Sequence, residues 1–245
     1  TLTMVDTVVK ISVNGTTVGA CDNQFSRWRF DCTDTLCAGS NTIELLFTSI
    51  EQAEQDACKE LDHPVPCTGY PGISSHRNLV RRMQSSGGWD GGPRLLTMGV
   101  YESIVLEFVE FGYVEASTTT LVRTEALWHV RVTVTFFSYT SGTLSISACV
   151  ADGSAARTVD VMQGMQEWHL DLEVTSVEPW MPSGYGKPHL YPLVITVGAR
   201  TIEKKIGFRT VELHSGPDKA MTFMVNGKAV FAKGANWIPI DSFPK

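Results

Sequence analysis

The sequence predicts a mainly β chain of antiparallel sandwiches, and three observations predict it. Apolar and polar residues alternate at period two through much of the chain. Short alternating runs recur at near-regular spacing with turn residues between them. Only one stretch carries helical spacing. Taking the elements in order, Val9, Ile11 and Val13 alternate with Lys10 and Ser12 ahead of Asn14-Gly15, a pair favoured in tight hairpin turns. The run Ile43 to Phe47 follows the polar tract Ala38-Gly39-Ser40-Asn41, and both runs read as half-buried strands of an antiparallel sheet. Between Ser49 and Lys59 the pattern changes: Ser49 with Gln52 fits a capping box, and Ile50, Ala53 and Ala57 recur at helical spacing, so one short helix is expected. From Asp62 to Gly99 the chain is rich in Pro, Gly and Ser without periodicity, and connections of that length are usually functional or disordered. A strand is expected to resume with Ile104, Leu106 and Phe108 on one face, closing a first domain near Gly112.

The second block alternates more cleanly. Trp128, Val130, Val132, Val134 and Phe136 form one face of a strand, Leu144, Ile146 and Ala148 another, and Trp168, Leu170, Leu172 and Val174 a third. Further strands fit Leu193 to Val197 and Thr201 to Phe208. About a hundred residues of this kind predict an immunoglobulin-like sandwich, with His129 and His169 on its solvent faces. After Thr210 the chain is too short for a domain; Met221 to Val225, Asn226-Gly227 and Lys228 to Phe231 read as a hairpin.

Composition excludes several classes. The 245 residues are 43% hydrophobic and 19% charged, with a net charge of −6 and a pI near 5.5. That balance lacks the basic stripe needed to bind nucleic acid. No run approaches the ~18 apolar residues of a membrane span, so no membrane partner is expected. The start at Thr1 and the close at Phe243-Pro244-Lys245 suggest a fragment. Six cysteines form no Cys-x-x-Cys pair, so no metal is expected. Cys58 and Cys67 flank a short Pro-bent loop that suits either a local disulfide or two free thiols. Asn14-Gly15-Thr16 is a glycosylation acceptor if the protein is secretory, and otherwise simply a turn.

The sequence QSSGGWDGGPR, Gln84 to Arg94, sets Trp89 and Asp90 among four glycines. Glycines let a backbone turn sharply and approach another group, while Trp89 brings a large apolar face with a polar N–H beside a lone carboxylate. A segment built that way is either a poorly ordered tip or a loop that presents something.

Three stretches together resemble the β-mannosidases of glycoside hydrolase family 2. Gly88-Trp89-Asp90-Gly91-Gly92-Pro93-Arg94 with Gly99-Val100-Tyr101 is similar to the family's Trp-Asp-Trp-Gly-Pro segment and the motif that trails it. Trp180-Met181-Pro182-Ser183-Gly184-Tyr185-Gly186 with Ile206-Gly207-Phe208-Arg209-Thr210 resembles its Trp-Pro-x-Gly-x-Gly and Ile-Gly-Phe-Arg-Thr signatures. Val225-Asn226-Gly227 with Phe231 to Pro239 resembles the start of its catalytic barrel. Val5-Asp6-Thr7, Val13-Asn14-Gly15 and Asp22-Asn23-Gln24-Phe25 also fit its sugar-binding-like domain. The resemblance implies a partial galactose-binding-like jelly roll over 1–112, an immunoglobulin-like sandwich over 113–209, and over 210–245 the first stub of a (β/α)8 barrel.

It also implies a retaining exo-glycosidase that removes terminal β-mannose from oligosaccharides or glycoprotein-derived glycans, without a cofactor, and in a eukaryote a lysosomal or secreted one. Trp89 and Asp90 carry over as mannose-binding residues. Gly91 departs from the pattern: the family's second Trp is absent, and with it one wall of the pocket. Trp237, beside Asn236, stands where it would approach the site or pack the barrel. Retaining hydrolysis needs two carboxyl groups about 5–5.5 Å apart. The family's acid/base glutamate follows an Asn, and no Asn-Glu pair occurs here. Glu102, Glu107 and Glu110, and Glu51, Glu54 and Asp56 on the short helix, read as solvated surface carboxylates, and Ser85 and Ser86 have no base beside them. No catalytic residue is therefore expected in this chain. The reading from another class is a non-catalytic carbohydrate-binding or adhesion protein made of β-sandwiches.

Overall fold

The structure, a computed structural model, describes residues 1–67, 73–88, 93–125, 127–217 and 221–237. It divides into two compact units, Thr1–Phe108 with Asn236 onward, and Val109–Ala235.

In the first unit, β1 (Val5–Asp6), β2 (Val9–Val13), β3 (Thr16–Cys21) and β4 (Ile43–Phe47) precede the helix α1 (Ile50–Lys59) and the short β5 (Gly99–Val100). The strand β2 lies between β3 and β4 in an antiparallel sheet, and β1 pairs with β5. Val9, Ile11 and Val13 are buried as their alternation predicts, and Val9 and Ile11 join Leu2, Val5 and Cys21 in a small apolar core. Burial pushes the Cys21 thiol up to about 11. The β2–β3 turn has Asn14 and Gly15 both at positive φ, 49° and 79°, the backbone a two-residue hairpin turn of this kind demands. The Asn14 amide donates to the Thr35 carbonyl and to Asn41 Oδ1, each at 2.8 Å, and its oxygen accepts from the Thr42 amide at 2.9 Å.

Three local expectations need correction. Ile104, Leu106 and Phe108 are not in a strand: the segment pairs with the chain start only at Ile104 and Val105, and these three side chains are all exposed. Alternation supplies a face, but without a neighbouring strand the backbone has nothing to pair with. Ser49 does precede α1, yet its side chain caps nothing; the Gln52 amide instead reaches Asp56, one turn on, at 2.9 Å. And Glu54, taken from its place on a surface helix as solvated, is buried.

The second unit is a sandwich of β6 (Gly112–Arg123), β7 (Trp128–Ser138), β8 (Gly142–Val150), β9 (Gly153–Val161), β10 (Gly164–Val174), β11 (Tyr191–Val197) and β12 (Arg200–Ile206). One sheet runs β10-β7-β6 and the other β12-β11-β8-β9, all antiparallel. The predicted inward faces of β7 and β10 meet those of β8 and β11 in one apolar core. His129 and His169 are exposed. Beyond it, β13 (Val211–Ser215), β14 (Met221–Val225) and β15 (Lys228–Val230) form a small antiparallel sheet, with the expected hairpin at Asn226-Gly227. The barrel start expected over 210–245 thus falls on this small antiparallel sheet, on residues 231–237, which form no helix or strand, and on positions outside the described residues.

Candidate functional site

Trp89 and Asp90, with Gly91 and Gly92, lie outside the described residues. The structure shows instead the stem that carries them. On the approach, Gln84–Gly87 forms a single 3-10 turn ending in the buried Gly87 and Gly88, with Gly88 at φ 98°. A Cβ on Gly87 would lie 3.0 Å from the Arg77 side chain, so that passage suits only glycine without a shift. The Arg77 guanidinium donates to the carbonyls of Gln84 and Gly88, gathering the turn around one cation. On the way out, Arg94 pairs with Glu51 of α1 at 2.7 Å.

Deeper in the unit, four segments converge. Asp6 at the end of β1 is 1% exposed and Arg82 3% exposed, and Arg82 Nη2 donates to Asp6 Oδ2 at 2.7 Å. The same nitrogen lies 3.1 Å from the Thr97 carbonyl and 3.3 Å from Thr97 Oγ1. Thr97 Oγ1 donates to Asp6 at 3.1 Å, and the Tyr101 hydroxyl donates to Thr97 at 2.8 Å. Thr7 donates to the other Asp6 oxygen. The side-chain oxygen of buried Gln24 accepts from the Met83 amide at 2.8 Å, while its backbone N–H donates to the Arg81 carbonyl at 2.8 Å. A buried ion pair is sustained only when its remaining donors and acceptors find partners as well, and the Asp6 carboxylate has them.

Arg82 is less fully matched. Its Nε and Nη1, Glu54 Oε1, Ser74 Oγ and His76 Nδ1 are buried without a hydrogen-bond partner among the described residues. Burial raises the Glu54 carboxyl above its ordinary range, with the charges of Arg82 and Arg94 holding it partly back. One end of the first unit is therefore polar inside.

Of the residues expected to carry function, Trp237 is 78% exposed. Cys58, near the C-terminal end of α1, and Cys67 stand as free thiols. No three His, Cys, Asp or Glu side chains among the described residues are grouped to hold a metal ion. Sequence reasoning missed Asp6, Gln24, Thr97 and Arg82 as a set. Asp6, Gln24 and Tyr101 did sit inside the stretches that resembled the family, and that was the available signal.

The motifs of the second unit also resolve into packing. Trp180 donates its amide to the Phe208 carbonyl at 2.9 Å, and Arg209 lies over its ring at 4.5 Å. A Cβ on Gly207 would meet the Trp180 side chain at 2.9 Å, so glycine is what lets the two segments touch. Phe208 is fully buried, edge-on to both Trp128 and Tyr191. Asn226 Nδ2 then donates to the Trp180 carbonyl at 2.9 Å, tying the small sheet to this corner.

Residues 1–102 match the profile of the glycosyl hydrolase 2 galactose-binding domain-like family, and residues 112–209 match that of glycosyl hydrolases family 2. The chain belongs to glycoside hydrolase family 2. Among curated relatives it is 30% identical to a β-mannosidase of Bos taurus over 262 residues and 31% identical to β-mannosidase B of Aspergillus terreus over 252, which cover 98% and 97% of it. It spans about three-tenths of the length of the curated relatives it matches. Among solved structures, a β-D-mannosidase from Dictyoglomus thermophilum superposes with a TM-score of 0.89 at 26% identity, over 98% of this chain and 31% of that one. An exo-chitosanase of Amycolatopsis orientalis, at 18% identity and a TM-score of 0.71 over 97% of this chain and 27% of its own, shares the fold.

Proposed function

We propose that the protein acts as a β-mannosidase, a retaining exo-glycosidase that removes terminal β-mannose from oligosaccharides or glycoprotein-derived glycans. In this reading the 245 residues supply scaffold and part of the mannose-recognition loop, through Trp89 and Asp90, and not the catalytic glutamates. One observation carries it. The first-unit stretches that resemble β-mannosidases contribute Asp6, Gln24 and Tyr101, and these side chains bond to one another or to the stem of that loop. The relatives' names and their alignment along nearly the whole chain support the same substrate. The absence of an Asn-Glu pair supports placing the acid/base glutamate elsewhere. A non-catalytic binding protein gains no comparable support.

Asp90 would recognise the sugar by accepting from two adjacent hydroxyls, and a charged acceptor makes such bonds both short and directional. Leaving either side unpaired in a dry site costs about 1–3 kcal/mol, enough to separate epimers. Two measurements test the reading. The chain alone is expected not to hydrolyse an aryl β-mannoside; turnover that vanishes on replacing one of its own glutamates would overturn the assignment. Calorimetry with mannose is expected to show about a tenfold or greater loss of affinity in Asp90→Ala, and equal affinities would remove the loop from recognition.

A further inference from the structure

We propose that the first unit binds water in its interior, bridging Glu54 on α1 to Arg82. The helix α1 packs against the 3-10 turn Arg77–Leu79, which His76 precedes and Arg82 follows three residues on. That packing turns Glu54 inward, to 4% exposure, on a helix whose Glu51, Gln52 and Asp56 stay exposed. Glu54 comes within electrostatic reach of both Arg82 and His76. Arg82 nevertheless forms its ion pair with Asp6, and Glu54 Oε1, Arg82 Nε, Arg82 Nη1 and His76 Nδ1 are all sealed from the surface without a hydrogen-bond partner among the described residues. Glu54 and Arg82 therefore stand too far apart to bond directly, yet close enough for their charges to be felt.

A separation longer than a hydrogen bond, between a buried donor and a buried acceptor, is what an intervening water spans. Chemistry selects the occupant. Arg82 offers only N–H donors and an ionised Glu54 only acceptors, so the bridge must accept from one and donate to the other. An anion would be repelled by Glu54 and by Asp6 beyond the guanidinium, and a cation by Arg82. Water does both, and buried waters hold about three bonds to groups that would otherwise lack partners. His76 Nδ1 is available as the third, donating or accepting according to its tautomer. One guanidinium thus serves two buried carboxylates: Nη2 meets Asp6 directly, and Glu54 is reached through solvent. The direction of the Glu54 shift agrees, since burial raises its carboxyl, where a direct cation contact would lower it. When Glu54 takes up a proton it donates to the same water, and the bond from Arg82 is kept.

Oxygen-17 magnetic relaxation dispersion on the full chain tests the site without any sugar, because it counts waters held inside a protein for longer than it takes to tumble. Glu54→Leu removes the acceptor and is expected to lower that count by at least one. Glu54→Gln keeps an oxygen in the same place and is expected to leave it unchanged. Equal counts in the wild type and a folded Glu54→Leu, or an equal loss in both variants, would overturn the proposal. If the leucine variant does not fold, the wild-type chain decides. A crystal structure is expected to show an ordered water within about 3.2 Å of Glu54 Oε1 and of Arg82 Nε or Nη1; a direct Glu54–Arg82 hydrogen bond, or a dry gap between them, would overturn it.

Discussion

Where the second unit closes on Val132, Val134, Leu172, Leu193, Ile195 and Phe208, all almost wholly inaccessible, the first closes one of its ends on Asp6, Arg82, Gln24 and Glu54. The sandwich interior is non-directional, and any set of apolar side chains of the right volume satisfies it. The polar end of the first unit is directional: each donor must meet its acceptor, and a partner lost leaves a buried group exposed to the full desolvation penalty. The contrast places rigidity by two different means. Close packing holds the sandwich, whereas hydrogen bonds to named backbone carbonyls hold the loop stem.

Three substitutions sharpen that contrast. The largest effect is expected from Phe208→Ala, which empties the space between Trp128 and Tyr191; truncating a buried Phe costs about 3–5 kcal/mol, readable by urea unfolding followed through tryptophan fluorescence. Gly207→Ala comes next, since its new methyl must displace Trp180, an overpacking cost of about 1–3 kcal/mol that should appear as a lowered midpoint with an unchanged slope. The smallest and most discriminating is Glu54→Gln. The fold raises the Glu54 carboxyl, so this group's contribution is fully present below its unfolded pKa, about 4.3, and is lost as pH rises through the raised value. Around it stand Arg82, Arg94, His76 and Glu51. The neutral amide is expected to flatten that part of the stability–pH curve and to leave the variant the more stable protein at pH 7, by about 1 kcal/mol. A thermal melt series from pH 4 to 8 checks it, and a wild-type curve with no fall over that range would show that Glu54 is not strained by burial.

Much of the sandwich was legible because an antiparallel sheet with one wet face writes period two into its strands. The strands β7, β8, β10, β11 and β12 were all visible this way. The strands β6 and β9 were not: the first passes through Ser117-Thr118-Thr119-Thr120 and the second through Ala155-Ala156-Arg157, which show no apolar stripe and take their place by pairing with β7 and β8. The small sheet after the sandwich was half visible, its Asn-Gly hairpin announced by sequence and β13 not. In the first unit the resemblance pointed to the right stretches without saying what their side chains do. Asp6 and Arg82 lie 76 residues apart, and no local pattern relates them. Glu54 misled for a related reason: helical spacing names the face that should be apolar, and here that face carries a carboxylate whose burial the charges of Arg82 and Arg94 offset only in part.

The two Asn-Gly turns carry a consequence of another kind. Such pairs are where polypeptides age, the amide closing on the next backbone nitrogen and reopening as an acid. At Asn14 both amide hydrogens are already committed, to Thr35 and Asn41, and at Asn226 the amide holds the Trp180 carbonyl. A carboxylate accepts and cannot donate, so the change of a single dalton would turn each of these attractions into a meeting of two oxygens. Loss of one small nitrogen would remove one tie between the third sheet and the sandwich corner and leave the bond from the Phe231 amide to the Tyr185 hydroxyl, and these two positions are where the chain would record its time in solution.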